Sequence, residues 1–143
     1  MRSADFFEMI QKSKKLYHQA MEPVCSRWQI NKNELDVLIF LYNNPEFNRA
    51  ADIVARRGLT KSHVSMSLTN LHSRGLVEAR ADERDRRALR LSLTGTGREI
   101  AAQGRTIQNG FFRTIFAGLS QEDLRLWHAM VDRVCDNINH MEG

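Results

Sequence analysis

Only two cysteines and two prolines occur in 143 residues, and each scarcity excludes something. Cys25 and Cys135 form no C-x-x-C pair and no ligand-spaced cluster, so neither a disulfide framework nor a structural zinc site is expected. His128 with Asp132, or His18 with Cys25, supplies two ligands at most, and neither metal nor cofactor is expected. No apolar run nears the roughly 20 residues that cross a bilayer. The opening MRSADFFEMIQKSKK also lacks the charged-then-apolar layout of a secretory signal, so a cytoplasmic location is expected. Absent too are G-x-S-x-G, H-E-x-x-H and any Gly-rich phosphate loop, and the histidines are scattered without a paired nucleophile. A binding protein is expected rather than an enzyme.

What is present suits one soluble globular domain over residues 1–143, with 42% hydrophobic and 27% charged residues. The net charge is only +4, but it is unevenly placed. Residues 49–98 hold eleven Lys/Arg against five Asp/Glu, a net of +6, which leaves −2 for the remainder. An electropositive middle third is the charge pattern of a nucleic-acid surface.

Along the chain, DFFEMIQKSKKLYHQAM spaces apolar residues by three and four with lysines between them, an amphipathic helix that Pro23 should end within a couple of residues. INKNELDVLIFLYNNP predicts a second helix, capped by Asn33 and stopped at Asn44, whose run VLIFL implies burial on most sides. RAADIVARRG is a short helix closed by Gly58, and Thr60 caps another, KSHVSMSLTNLHSR, closed by Gly75. In that helix Val64, Leu68 and Leu71 form the packing side, leaving Lys61, Ser62, His63, Ser65, Met66 and Thr69 on other faces.

The alternating Val77/Ala79/Ala81 and Leu89/Leu91/Leu93 predict a two-stranded hairpin with DERDRR at its tip. Thr94 then caps a long helix beginning near Thr96, which Gly95, Gly97, Gly104 and Gly110 weaken by up to about 1 kcal/mol each relative to alanine. Packing must hold it. Ser120 caps a last helix with Leu124, Trp127, Val131, Val134, Ile138 and Met141 on one seam, a seam that wants a partner.

Helix, helix, Gly turn, helix and charged-tip hairpin is the order of a winged helix-turn-helix, mainly α with a small β-hairpin wing. Short hydroxyl residues let a helix approach base edges closely, while Lys61 and a helix N-terminus suit phosphate. The stretch GLTKSHVSMSLTNLHSRGLVEARADERDRRALRLSLT resembles the recognition helix and wing of the MarR/SlyA family of bacterial transcriptional regulators. Its most specific part is the wing pattern D-x-R-D-R-R, here Asp82, Arg84, Asp85, Arg86 and Arg87, followed by Leu93 and Thr94. Two departures stand out: the glycine-rich Gly95-Thr96-Gly97, and His63 where a smaller hydroxyl residue is common.

The resemblance implies a DNA-binding lobe over about 31–94 and dimerisation helices over about 3–21 and 96–141. It implies a homodimer binding a pseudo-palindromic operator on double-stranded DNA, with ligand-responsive repression. DNA contacts are expected from Thr60, Lys61, Ser62, His63, Ser65, Met66, Thr69, Arg84, Arg86 and Arg87. Arg86 would enter the minor groove, and Asp82 and Asp85 would brace neighbouring arginines. The dimer interface is expected at Phe6, Ile10, Leu124, Trp127, Val131, Val134 and Ile138.

A small aromatic or amphipathic effector is implied, in a pocket of Tyr17, Met21, Trp28, Phe40 and Phe111, although core packing is the commoner fate of each. Cys25 is read as a buried thiol, with an oxidation sensor as the other reading. Two other functions fit the same features: a dimeric helical protein-binding scaffold, and a sequence-tolerant architectural DNA binder.

Overall fold

Capping side chains and close helix approaches set most element boundaries. In the computed structural model, which describes residues 1–143, the order is α1 (Ser3–Trp28), α2 (Lys32–Asn43), α3 (Ala50–Arg57), α4 (Lys61–Ser73), β1 (Val77–Ala81), β2 (Leu89–Leu93), α5 (Gly95–Ile115) and α6 (Gln121–Glu142). The chain divides into two compact units, residues 1–109 and 110–143. No helix is long and apolar enough to cross a membrane.

Two expected boundaries are corrected. The first helix runs through Pro23 to Trp28. Proline removes one backbone hydrogen bond, but Met21, Val24 and Cys25 around it are buried, and that burial holds the helix together. It ends where Gln29 turns left-handed at φ 52° and the buried Ile30 donates its N–H back to the Cys25 carbonyl at 3.1 Å. Arg74 at the C-cap of α4 seals the same end, donating to the Trp28 and Gln29 carbonyls, each at 2.7 Å.

The N-cap of α2 is Asn31 rather than Asn33. Asn31 Oδ1 accepts from the Glu34 N–H at 2.8 Å and Glu34 Oε1 accepts from the Asn31 N–H at 2.9 Å. A box on Asn33 would need Asp36, which is instead buried between Lys32 (3.5 Å) and Arg57 (3.1 Å), tying α2 to α3.

As its apolar run implies, α2 is the centre of the first unit: residues 34–41 are all buried. Around it pack Met21, Ile53, Val64, Leu71, Leu76, Val77, Ile100 and Ala101. The turn between α3 and α4 uses Gly58 at φ 73°, and Thr60 Oγ1 accepts from the His63 N–H at 3.0 Å, so α4 starts where Thr60 caps it. The hairpin pairs Val77 with Leu93, Ala79 with Leu91 and Ala81 with Leu89, the two sets expected from alternation.

Thr94 Oγ1 accepts from the Gly97 N–H at 3.1 Å and caps α5. The glycines of this helix are sites of close approach. A Cβ on Gly97 would lie 2.0 Å from the Leu76 carbonyl oxygen, and one on Gly104 would lie 2.6 Å from Ile39 Cδ1.

In the second unit Gly118 turns the chain at φ 86°. Ser120 and Asp123 then form a capping box that starts α6. Phe116 packs edge-on against Trp127 at 5.8 Å. No residue of α6 is buried, and Val134, Ile138 and Met141 are 49, 50 and 84% exposed.

Gly97→Ala is expected to lower stability by about 1 to 3 kcal/mol, because the methyl meets main chain that cannot step aside. Gly95→Ala, with open space around it, should stay within about 0.5 kcal/mol of the parent. Urea unfolding of the two variants checks the contrast, and equal stabilities would contradict it.

Candidate nucleic-acid interface

The packing of α4 decides which of its residues are offered to solvent. Val64, Ser67 and Leu71 are buried against the core and Leu68 is half-buried. Lys61, Ser62, His63, Ser65, Met66 and Thr69 are all exposed, as is the cap Thr60. The Thr69 hydroxyl donates to the Ser65 carbonyl at 3.0 Å, so its proton is used within the helix. Along this surface α3 contributes only small or medium side chains, Ala50, Ala51, Val54 and Ala55, which with Lys61, Ser65 and Thr69 line a shallow depression of about 580 Å³. The helix pair therefore presents a low surface from which α4 side chains stand out.

Beyond α4 the hairpin carries its charged tip. Asp82 is the fixed point: it is 4% exposed inside an otherwise exposed stretch. Its Oδ1 accepts from the Arg84 N–H at 3.0 Å, and its Oδ2 accepts from Arg90 Nε at 3.1 Å and from the Arg49 guanidinium. The Asp82 N–H donates to the Ala88 carbonyl and the Ala88 N–H to the Asp85 carbonyl, both at 3.0 Å, while Asp85 Oδ1 accepts from the Arg87 N–H at 3.1 Å. The tip is thus an ordered turn.

The base of the wing is tied as firmly. The Leu91 N–H donates to the Asn48 carbonyl at 2.8 Å and the Arg90 guanidinium to Asn48 Oδ1 at 3.0 Å. Wing and helix-turn-helix share one anchored loop.

The two aspartates expected to brace neighbouring arginines make different contacts from each other. Asp82 and Asp85 hold the backbone N–H groups of Arg84 and Arg87, and the guanidinium groups that Asp82 pairs with belong to Arg49 and Arg90. The side chains of Arg84, Arg86 and Arg87 are exposed and enter no ion pair of the chain. Arg49 and Arg90 were missed because neither lies in the charged run. Hairpin alternation could have pointed to Arg90; Arg49, 33 residues from Asp82, leaves no local signal.

Between α4 and the hairpin lies a groove of about 760 Å³, floored by Leu68, Val77, Ala79 and Leu91 and rimmed by Arg49, His72 and Arg87. Of the four expected pocket residues in the first unit, Tyr17 and Phe40 share a cleft and Met21 and Trp28 lie elsewhere. Tyr17 and Phe40 face a cleft of about 290 Å³ with Asp36, Phe47, Arg56, Arg57 and Gln108, where Gln108 Nε2 donates to the Tyr17 hydroxyl at 2.9 Å. Met21 is fully buried in the core because the helix carries on past it. Trp28 packs on that core and donates to Gln103 Oε1 at 2.9 Å, and Phe111 belongs to the second unit, edge-on to Phe112. Cys25 is buried, and burial, with Glu22 and Asp36 nearby, pushes its thiol up, which suits the inert reading.

The Arg84 N–H, then Arg49 and Arg90, hold the Asp82 carboxyl below its ordinary range. A depressed folded value means that the bracing is complete above the ordinary carboxylate pKa of about 3.9 and is lost as pH falls through the folded value. Wing protection, corrected for intrinsic exchange, should therefore hold from neutral pH down to about 4.5. Asp82→Asn should raise amide exchange at Arg84 and Leu91 on the order of tenfold, while Glu83→Gln should not. Unaltered exchange in Asp82→Asn would show that the wing stands without its hub.

The model of the MarR family matches residues 28–88, from the end of α1 to the wing. The chain is 28% identical over 114 residues to the HTH-type transcriptional regulator YdgJ of Bacillus subtilis (strain 168), covering 80% of this chain and 69% of that protein. Its fold is similar to S. aureus MepR in a DNA-binding conformation, with a TM-score of 0.81 at 21% identity over 96% of this chain and 99% of that one. It is similar also to a MarR-family regulator from Listeria monocytogenes complexed with 26mer DNA, with a TM-score of 0.80 at 13% identity over 96% and 90% of the two chains. From the end of α1 to the wing the chain thus matches the MarR family of transcriptional regulators over residues 28–88, and its fold is similar to that of solved MarR-family proteins.

Proposed function

We propose that this regulator binds a pseudo-palindromic operator as a homodimer, with the α4 helix of each copy in a major groove, the two about one helical turn apart, and each wing carrying Arg86 to the flanking minor groove. The observation that carries the reading is the exposed polar face of α4 beside a braced wing whose Arg84, Arg86 and Arg87 side chains are committed to no partner in the chain. Solved relatives described as DNA complexes support it. Lys61 and Thr60 at the α4 N-terminus suit phosphate, while Ser62, His63, Ser65, Met66 and Thr69 suit base edges.

Dimerisation is proposed through the exposed α6 seam of Val134 and Ile138 with the half-buried Leu124, Trp127 and Val131, together with Phe6 and Ile10 on α1. A seam of this kind left bare would be an aggregation liability, and a symmetric second copy covers it with the same residues.

Occupying a promoter in the cytoplasm, such a dimer represses. A small aromatic or amphipathic effector would enter the cleft of Tyr17, Phe40, Phe47, Arg56 and Arg57, which sets aromatic rings beside a polar rim of Asp36, Arg56, Arg57 and Gln108. Linkage is reciprocal: an effector that weakens DNA binding is itself bound less tightly by the DNA complex.

Arg86→Ala is expected to weaken operator binding by about 1 to 3 kcal/mol and to reduce the salt slope by about one unit. Equal affinity at matched salt would remove Arg86 from the interface. A specificity ratio near one between selected and random duplexes would instead favour a sequence-tolerant binder. Val131→Asp or Ile138→Asp should leave monomer or unfolded chain in sedimentation, since a buried unpaired charge costs several kcal/mol. A folded dimer would place the interface elsewhere.

A further inference from the structure

At about 100° per residue, Ser62, Met66, Thr69 and Ser73 form one rib of α4, directly opposite the buried Val64, Ser67 and Leu71. Met66 is 63% exposed and is the only apolar side chain on that rib. Its neighbours along the rib are cut short: Ser62 and Thr69 end at their γ atoms, whereas Met66 runs on to its ε methyl. The helix beside it adds little height, since Ala50, Ala51 and Ala55 line the adjoining surface. Next to Met66, Thr69 spends its hydroxyl proton on the Ser65 carbonyl, which leaves its methyl group and oxygen lone pairs for an outside partner. The crest of the helix is therefore an apolar spot with the short hydroxyl residues Ser62 and Thr69 on one side and the polar His63 and Asn70 on the other.

A lone exposed methionine on a protein surface needs no explanation. This one stands at the most forward point of a face that, on the operator-binding reading above, enters the major groove. The groove floor has one apolar feature, the 5-methyl of thymine, and every other base-edge group there is a hydrogen-bond donor or acceptor. Methionine can make no strong hydrogen bond, and its unbranched, polarisable chain adapts to a small apolar target.

We infer that Met66, with the Thr69 methyl beside it, is a specificity-determining contact that reads the 5-methyl group of a thymine in each half-site. Against an A·T pair in the correct orientation the thioether packs on the methyl. Against a cytosine at that position it faces the N4 amino group and leaves a donor without its water. The operator is then required to carry thymine at a fixed position under the centre of α4, and the preference comes from shape and desolvation rather than from a hydrogen bond.

The test uses the full chain and duplexes selected from random DNA. Each thymine of the recovered half-site is replaced in turn by deoxyuracil, which pairs identically and lacks only the methyl. One thymine per half-site should lose about fourfold in affinity on replacement, the worth of one buried methyl-sized group. Met66→Ala, exposed and so expected to keep the parent circular dichroism, should bind the thymine and deoxyuracil duplexes alike, while Lys61→Ala should keep the parent's discrimination. Indifference of the parent to every replacement, or undiminished discrimination by Met66→Ala, would overturn the assignment of Met66 alone. Failure to select any preferred duplex would overturn the operator reading beneath it, and a selected half-site that binds independently of Met66 leaves that reading standing.

Discussion

The buried carboxylate of Asp82 is the constraint on which the exposed surface of α4 and the wing depends. A hairpin of two five-residue strands is marginal alone in water, and this one carries only Val77 and Leu91 as buried apolar side chains. Its position comes from polar ties: Asp82 to Arg49, Arg90 and the Arg84 N–H, and Asn48 to Leu91 and Arg90. Removing a carboxylate from water is costly unless its lone pairs are filled, and here three donors fill them. The aspartates also explain how a charged tip can be rigid and basic together. They turn inward to backbone N–H groups and to arginines outside the run, and the tip arginines are left facing outward.

A second constraint lies in the core. α2 is buried on nearly every side, so the elements around it must come close, and two glycines of α5 make room for them. Gly97 lies against the Leu76 main chain and Gly104 against Ile39 and Leu35. Both lower the intrinsic stability of their helix, and the close packing they allow offsets that cost. The helix-turn-helix therefore rests on a scaffold whose helix positions are set by missing side chains as much as by present ones. With α4 placed that way, its outward rib is free of packing duties, short and hydroxylic except at Met66, because its hold on the core comes from the opposite face.

Much of this was legible in the residues. The Gly58 turn, the Thr60, Thr94 and Ser120 caps and the hairpin register follow from local chemistry that acts within a few residues, so the string carries it. Local rules failed where burial outweighed them. Pro23 did not end α1, since Met21, Val24 and Cys25 flank it in the core, and Asn33 lost the cap to Asn31 once Asp36 was drawn into ion pairs with Lys32 and Arg57. The same burial placed Met21 in the core, apart from the cleft that Tyr17 and Phe40 line.

The sequence by itself determined the element order, the exposed polar face of α4 and the charged tip, because periodicity, caps and turn residues act over short distances. Only the tertiary structure decided what those charges do. Arg49 and Asp82 lie 33 residues apart and meet because α3 and the wing are packed on one core. No pattern in the string distinguishes an arginine that holds the wing from one that is left facing solvent. That difference is one of burial and distance, and both come into being only on folding.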